Sequence, residues 1–263
     1  MAMDRIELAF FSETLGVRCS LTALVPQGKG LARDRDIPVL WLLHGHSDDH
    51  TIWSRATSIE RYADARGLAV VMPAVGLSWY TNMKAPLSQR YRDFIADDVP
   101  AVVRSLLPVS SDRSKNYVAG LSMGGYGAMK MGLLYPERYA YAASLSGVVD
   151  ISALLDGPHD EPIDPVGASE FASVFGSPDA LRESDDNLMR LVEKRVSEKA
   201  DLPELFLVCG TEDFLYANNQ NFRRRLESLG VAHEYKEEPG THEWGFWDRW
   251  IRYVVEHLPI PKE

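Results

Sequence analysis

Five short stretches of the chain are almost wholly apolar: 37–43 (IPVLWLL), 68–75 (LAVVMPAV), 116–120 (NYVAG), 139–147 (YAYAASLSG) and 202–210 (LPELFLVCG). A strand with one wet face alternates polar and apolar residues; these runs do not, so each reads as a strand buried on both faces. Helical patterns lie between them. In 93–107 the residues Phe94, Ile95, Val99, Val102, Val103 and Leu106 recur at helical spacing. A helix over 123–135 stops at Pro136, and one over 216–229 ends at Gly230, a residue suited to the position after a helix C-terminus. The stretch 243–257 puts Trp244, Trp247 and Ile251 on one stripe. Strands alternating with helices predict an α/β class with a mostly parallel, doubly wound sheet. Segments 5–11 and 18–25 read as an antiparallel pair ahead of it, and 232–240 as a more polar edge strand. Reactive groups are then expected at the carboxyl ends of the strands.

A chain of 263 residues fits one domain over 1–263. Residues 151–200 break the rhythm with DGPHDEPIDPVG and short helical pieces. Residues 151–201 carry 12 Asp/Glu against 5 Lys/Arg, most of the net charge of −10. This insertion reads equally as a lid or pocket wall and as a solvated acidic connection. The acidic balance argues against nucleic acid as a partner. Cys19 and Cys209 sit in apolar runs and read as free thiols rather than a disulfide framework. The N-terminus lacks a basic segment followed by an apolar one, so no secretory signal is expected. No apolar run approaches the roughly 18 residues that a membrane span needs. A soluble cytoplasmic protein with no membrane partner is the expectation.

The sequence NYVAGLSMGGYGAMK carries Gly-x-Ser-x-Gly at Gly120–Gly124, between an apolar strand and an Ala/Gly-rich helix. That context reads as a nucleophile elbow. The turn is so tight that Ser122 takes strained backbone angles and only small residues fit two positions to either side. The hydroxyl then projects above the sheet at a helix N-terminus, whose positive end favours developing negative charge. A serine needs a base, and the base needs a carboxylate to hold its tautomer. Downstream, Asp213 follows the strand 202–210 and His242 lies in the loop before the last helix, in the order Ser, acid, His. Glu212 and Asp150 are rival acids. His233, inside a strand, His159, in the insertion, and His257, near the end, are weaker bases.

The first buried run leads into His44-Gly-His46-Ser-Asp48-Asp49-His50. A similar run marks the zinc hydrolases of the metallo-β-lactamase family. Here it has one residue too many, and too few histidines remain elsewhere to complete such a site. The expectation is therefore no catalytic metal. If Ser122 attacks an acyl carbonyl, the intermediate needs two backbone N–H donors. Met123 supplies one; the loop after the third strand supplies the other, from His46 or, failing that, Gly45. The side chains of His44, Asp48, Asp49 and His50 then brace the loop. Trp53, Trp79 and Tyr80, in loops at the same edge, are candidate pocket walls. Trp244 is placed to support His242, and Trp247 to pack in the core or at its edge.

The segments LLHG, SWYTN, GLSMGGYGAMK, CGTEDFLY and GTHEW, in this order, resemble the esterase D branch of the α/β-hydrolase superfamily, tributyrin-esterase-like enzymes above all, with S-formylglutathione hydrolases as cousins. The resemblance spans roughly residues 3–257. It implies a serine carboxylesterase for short acyl esters that needs no cofactor, with Ser122, Asp213 and His242 as nucleophile, acid and base. It also implies a small-molecule ester as partner and a tendency to form homo-oligomers. The tributyrin-esterase group usually has an apolar residue where this chain has His46. The cysteine-bearing loop usual in formylglutathione hydrolases is absent, which points away from that thioester. Acyl transfer on the same triad and a non-catalytic binding domain are the alternative readings.

Overall fold

The computed structural model describes residues 3–27, 36–84, 88–153 and 165–261. Eight strands among them form one sheet: β1 Met3–Ser12, β2 Val17–Pro26, β3 Val39–Leu43, β4 Ala69–Pro73, β5 Asn116–Leu121, β6 Tyr141–Leu145, β7 Glu204–Gly210 and β8 His233–Glu238. Their spatial order is β1-β2-β4-β3-β5-β6-β7-β8. β1 pairs antiparallel with β2, and β2 antiparallel with β4. Every pairing from β4 through β3 to β8 is parallel. β5, which carries the Gly-x-Ser-x-Gly segment, lies inside this parallel part. β8 is the polar edge strand the sequence predicts, with no fully buried residue.

The continuous apolar runs are explained by two separate cores. Along β3, Val39, Trp41 and Leu43 enter one core while Leu40 and Leu42 enter the other. On the first face lie α4 Val99–Leu106, α5 Met123–Leu134, α8 Leu188–Ser197 and α9 Tyr216–Ser228. On the second lie α2 Ile59–Arg66 and α10 Trp244–His257, with the short α1 Ile52–Ala56 before them. Removing apolar area from water on both sides stabilises the sheet by roughly 25 cal/mol per Å².

The helix expected over 93–107 is present, over residues 91–106, but is not α-helical throughout. α3 Tyr91–Asp93 passes through a wider π segment, Phe94–Asp98, into α4. Pro100 is the cause: it lacks an N–H and its ring crowds the carbonyl four residues back, that of Ala96. The freed Ala96 carbonyl accepts a hydrogen bond from Arg138 at 2.6 Å.

Of the insertion, 154–164, including His159, lie outside the described residues. The rest forms α6 Pro165–Phe175, α7 Pro178–Glu183 and α8. Val174, Phe175, Leu181, Leu188 and Leu191 are buried in the first core, so these helices are packed and not merely solvated. A buried ion pair fastens them to α5. Lys130, fully buried, lies 2.5 Å from an Asp186 carboxylate oxygen and donates to Thr81 Oγ1 at 2.6 Å. Tyr126, one turn earlier, donates to the Asp186 carbonyl at 2.8 Å. Asp186→Ala would leave the buried ammonium without its counter-charge, a loss of about 3–5 kcal/mol. Urea unfolding should show this loss, and the double variant Lys130→Met/Asp186→Leu should recover most of it.

Candidate active site

β5 runs straight into α5 with Ser122 at the junction. Its φ of 50° and ψ of −118° lie outside the regions open to most side chains. The glycines of the motif make this turn fit. A Cβ on Gly120 would collide with the backbone of Gly124, and one on Gly124 would lie 2.6 Å from the His44 carbonyl oxygen. The turn is pinned by Ser122 N–H donating to the Leu145 carbonyl at 3.0 Å. Met123, fully buried, opens α5, where backbone N–H groups have no partner within the helix.

Two further loops meet this turn. Asp213, 4% exposed, follows β7; His242 lies between β8 and α10. Backbone bonds clip the two loops together: Thr211 N–H to the Glu238 carbonyl at 3.0 Å and Glu212 N–H to the Gly240 carbonyl at 3.1 Å. The rival acid Glu212 points outward and accepts from Gly240 N–H, a bond that holds its carboxyl below the usual carboxylate range. Asp150, the other rival, is held by Ser152 and Asn221 at 2.9 and 3.0 Å. Asp213 Oδ2 lies 2.9 Å from His242 Nδ1, and its Oδ1 accepts from Leu215 N–H at 2.8 Å. Beside a carboxylate, Nδ1 carries the proton, so the Nε2 lone pair faces outward. That lone pair meets the Ser122 hydroxyl at 3.1 Å. The imidazole is wedged between Phe214 and Trp247, ring centres 4.6 and 4.7 Å away. A hydroxyl with an oriented neutral base can be deprotonated as it attacks a carbonyl.

The histidine-rich loop borders the same cleft, an opening of about 670 Å³ lined by Gly45, His46, Ser122 and His242 among others. Its side chains diverge. His44 Nδ1 donates to the Gly45 carbonyl at 2.7 Å while its Nε2 accepts from Val75 N–H at 3.1 Å. His46 Nε2 meets Glu170, and His50 Nδ1 meets Thr22 at 2.8 Å. Asp49 accepts from the backbone and hydroxyl of Thr51. Among the described residues no group of three or more His, Cys, Asp or Glu side chains is arranged to hold a metal ion.

The family profile Esterase matches residues 12–253. The chain belongs to the Esterase family. An acetyl esterase of Caldicellulosiruptor saccharolyticus is 28% identical over 262 residues, 97% of this chain and 98% of its own. Two solved structures from Staphylococcus aureus are each 32% identical over 98% of this chain. The fluorophosphonate-binding serine hydrolase FphF, with substrate bound, superposes with a TM-score of 0.89 over 99% of its length. The S-formylglutathione hydrolase FrmB superposes with 0.87 over its full length. This esterase therefore has the α/β-hydrolase fold and is a carboxylic ester hydrolase. No helix among its described residues is long and apolar enough to cross a membrane.

Of the three expected wall residues, Trp79 lines the cleft of this esterase and Trp53 and Tyr80 do not. Trp53 is 1% exposed and donates to the Leu43 carbonyl at 3.0 Å. Tyr80 is fully buried, donates to the His44 carbonyl at 2.8 Å and lies against Gly127 of α5. Trp79 and Tyr80 both have positive φ, 53° and 52°, so the chain reverses sharply and sends the two rings in different directions. Trp53 and Tyr80 thus hold the loop from below. The tryptophan against His242 is Trp247, beside Phe214, and Trp244 packs edge-on against Trp53 and Trp247. Phe214 and Glu170 were not singled out in the sequence. Phe214 had a signal, an aromatic residue directly after the acid in TEDF; Glu170 had none, because its contacts span 124 and 91 residues.

Tyr80→Phe removes the donor to a buried carbonyl and should cost about 1–3 kcal/mol in urea unfolding, with a fall in esterase turnover. Burial holds the His44 imidazole below its ordinary value of 6.5. The unfolded chain then takes up a proton near 6.5 that the folded one resists, so His44 stabilises the fold fully above that pH and its contribution fades as pH falls. The His44 ring resonance should not titrate at 6.5, and unfolding free energy should drop on acidification from pH about 7.5 to 5.5.

Proposed function

We propose that this esterase is a serine carboxylesterase for short-chain acyl esters, working through an acyl-enzyme on Ser122. The observation that carries the reading is the unbroken relay from the Ser122 hydroxyl through His242 to the buried Asp213 carboxylate. His242 Nε2 takes the Ser122 proton as the oxygen attacks the ester carbonyl. Asp213 keeps the ring in its productive tautomer and stabilises the imidazolium that forms. The backbone N–H groups of Met123 and His46 hold the oxyanion, with Gly45 as the alternative donor; each such donor is worth about 3–4 kcal/mol of barrier. His242 then protonates the leaving alcohol. Water repeats the sequence on the acyl-enzyme and releases the acid. No step calls for a metal or a cofactor.

The preference for short acyl groups rests on the family resemblance; the cleft around the serine is lined by Trp79, Leu121, Phe214 and Trp247. A panel of p-nitrophenyl esters from acetate to octanoate, with Ser122→Ala as the blank, tests the reading. Turnover should be highest on the short esters and absent in the variant, and a fluorophosphonate should label Ser122 alone. Asp213→Asn should keep the fold and lower kcat by about 10³–10⁴. Turnover retained by Ser122→Ala would overturn the assignment. Product analysis with added alcohols separates hydrolysis from acyl transfer.

A further inference from the structure

The structure assigns to Glu170 the task of limiting how long an acyl chain the cleft accepts; the inference rests on the esterase reading above. Glu170 lies on α6, in the insertion, with its side chain 14% exposed. Its Oε1 accepts from Trp79 Nε1 at 2.8 Å. Both of its oxygens face His46 Nε2, at 2.9 and 3.1 Å. One carboxylate from a third element therefore joins two cleft-lining side chains that come from the loops after β3 and β4. The two rings stand 6.0 Å apart, and Trp79 is further held edge-on by Tyr126 and Phe175. His46 and Trp79, tied together by Glu170, form the wall of the cleft on the side of the loops after β3 and β4.

The direction of the substrate follows from the relay. His242 must protonate the leaving oxygen, so the alcohol lies on the side of the loops after β7 and β8. In the sheet order, β3 and β4 stand on the opposite side of β5 and Ser122. The acyl chain therefore runs toward Trp79 and His46. Beneath them the loop backbone is fixed independently by Trp53, Tyr80 and His44. Glu170 thus acts on the position of two side chains and not on the oxyanion donors. It is a positioning residue whose effect should appear in chain-length preference.

The experiment compares kcat/KM for p-nitrophenyl acetate, butyrate, hexanoate and octanoate in the wild type, Glu170→Ala, Glu170→Gln and Trp79→Ala. Glu170→Ala should raise the octanoate-to-acetate ratio by about tenfold or more, mainly through KM, since each methylene admitted to an apolar pocket is worth roughly that much. Trp79→Ala should move the ratio the same way. Glu170→Gln should return it most of the way, because the amide oxygen accepts from Trp79 and the amide nitrogen donates to the His46 Nε2 lone pair. Equal ratios across all four proteins overturn the inference. So does a uniform loss on every ester at constant ratio, which is what a merely structural role would give. Binding of the carboxylates acetate to octanoate, followed by calorimetry, should rank the proteins in the same way without turnover. A wild type that hydrolyses none of the esters would therefore refute the esterase reading, while the carboxylate series still decides the role of Glu170.

Discussion

The close approach of two glycines governs everything at the carboxyl edge of this sheet. Ser122 holds a backbone conformation that side-chain-bearing residues avoid, and it does so because β5 and α5 are pressed together on either side of it. Gly120 lies against Gly124, and Gly124 lies against the carbonyls of Leu43 and His44. The same contact that strains the serine also brings β3, and with it the histidine-rich loop, against the start of α5. A single packing constraint thus sets both Ser122 and the backbone that faces it. Strain of this kind persists only where the surroundings over-determine the conformation, and here two cores, one on each face, supply that confinement.

Around this turn the polar groups divide into two kinds of work. Those below the cleft, His44, Trp53 and Tyr80, spend their hydrogen bonds on backbone carbonyls and amides of the loop. They are buried, and each would be costly to leave unpaired. His242 and His46, which line the cleft, bond instead to side chains behind them, Asp213 and Glu170. The opening quality of the loop, three histidines in seven residues, comes apart on this division. One histidine is a buried brace, one borders the cleft and one bonds to β2.

Much of this was legible in the chain. The strands announced themselves because burial on both faces leaves no room for alternation, and β8 stood out because it is polar. Ser122, Asp213 and His242 could be read because small residues, strand ends and chain order constrain them locally. Trp53 and Tyr80 misled because an aromatic residue in a loop at the right edge can point either way. The backbone angles of Trp79 and Tyr80 decide it, and no pattern of residue types encodes two successive positive φ values. The π segment at Phe94–Asp98 was hidden for a related reason: Pro100 was visible, yet its effect falls on a carbonyl four residues earlier and depends on Arg138 being near to accept the change. Glu170 was beyond reach altogether, since a long-range contact leaves no local trace.

The clip between the loops after β7 and β8 has a bearing on how such chains diverge. Asp213 and His242 are carried on segments whose main chains are stitched to each other before either side chain is considered. Insertions in one loop would drag the other with it. The pair therefore behaves as one inheritable cassette, and chimeras built between relatives should exchange both segments or neither.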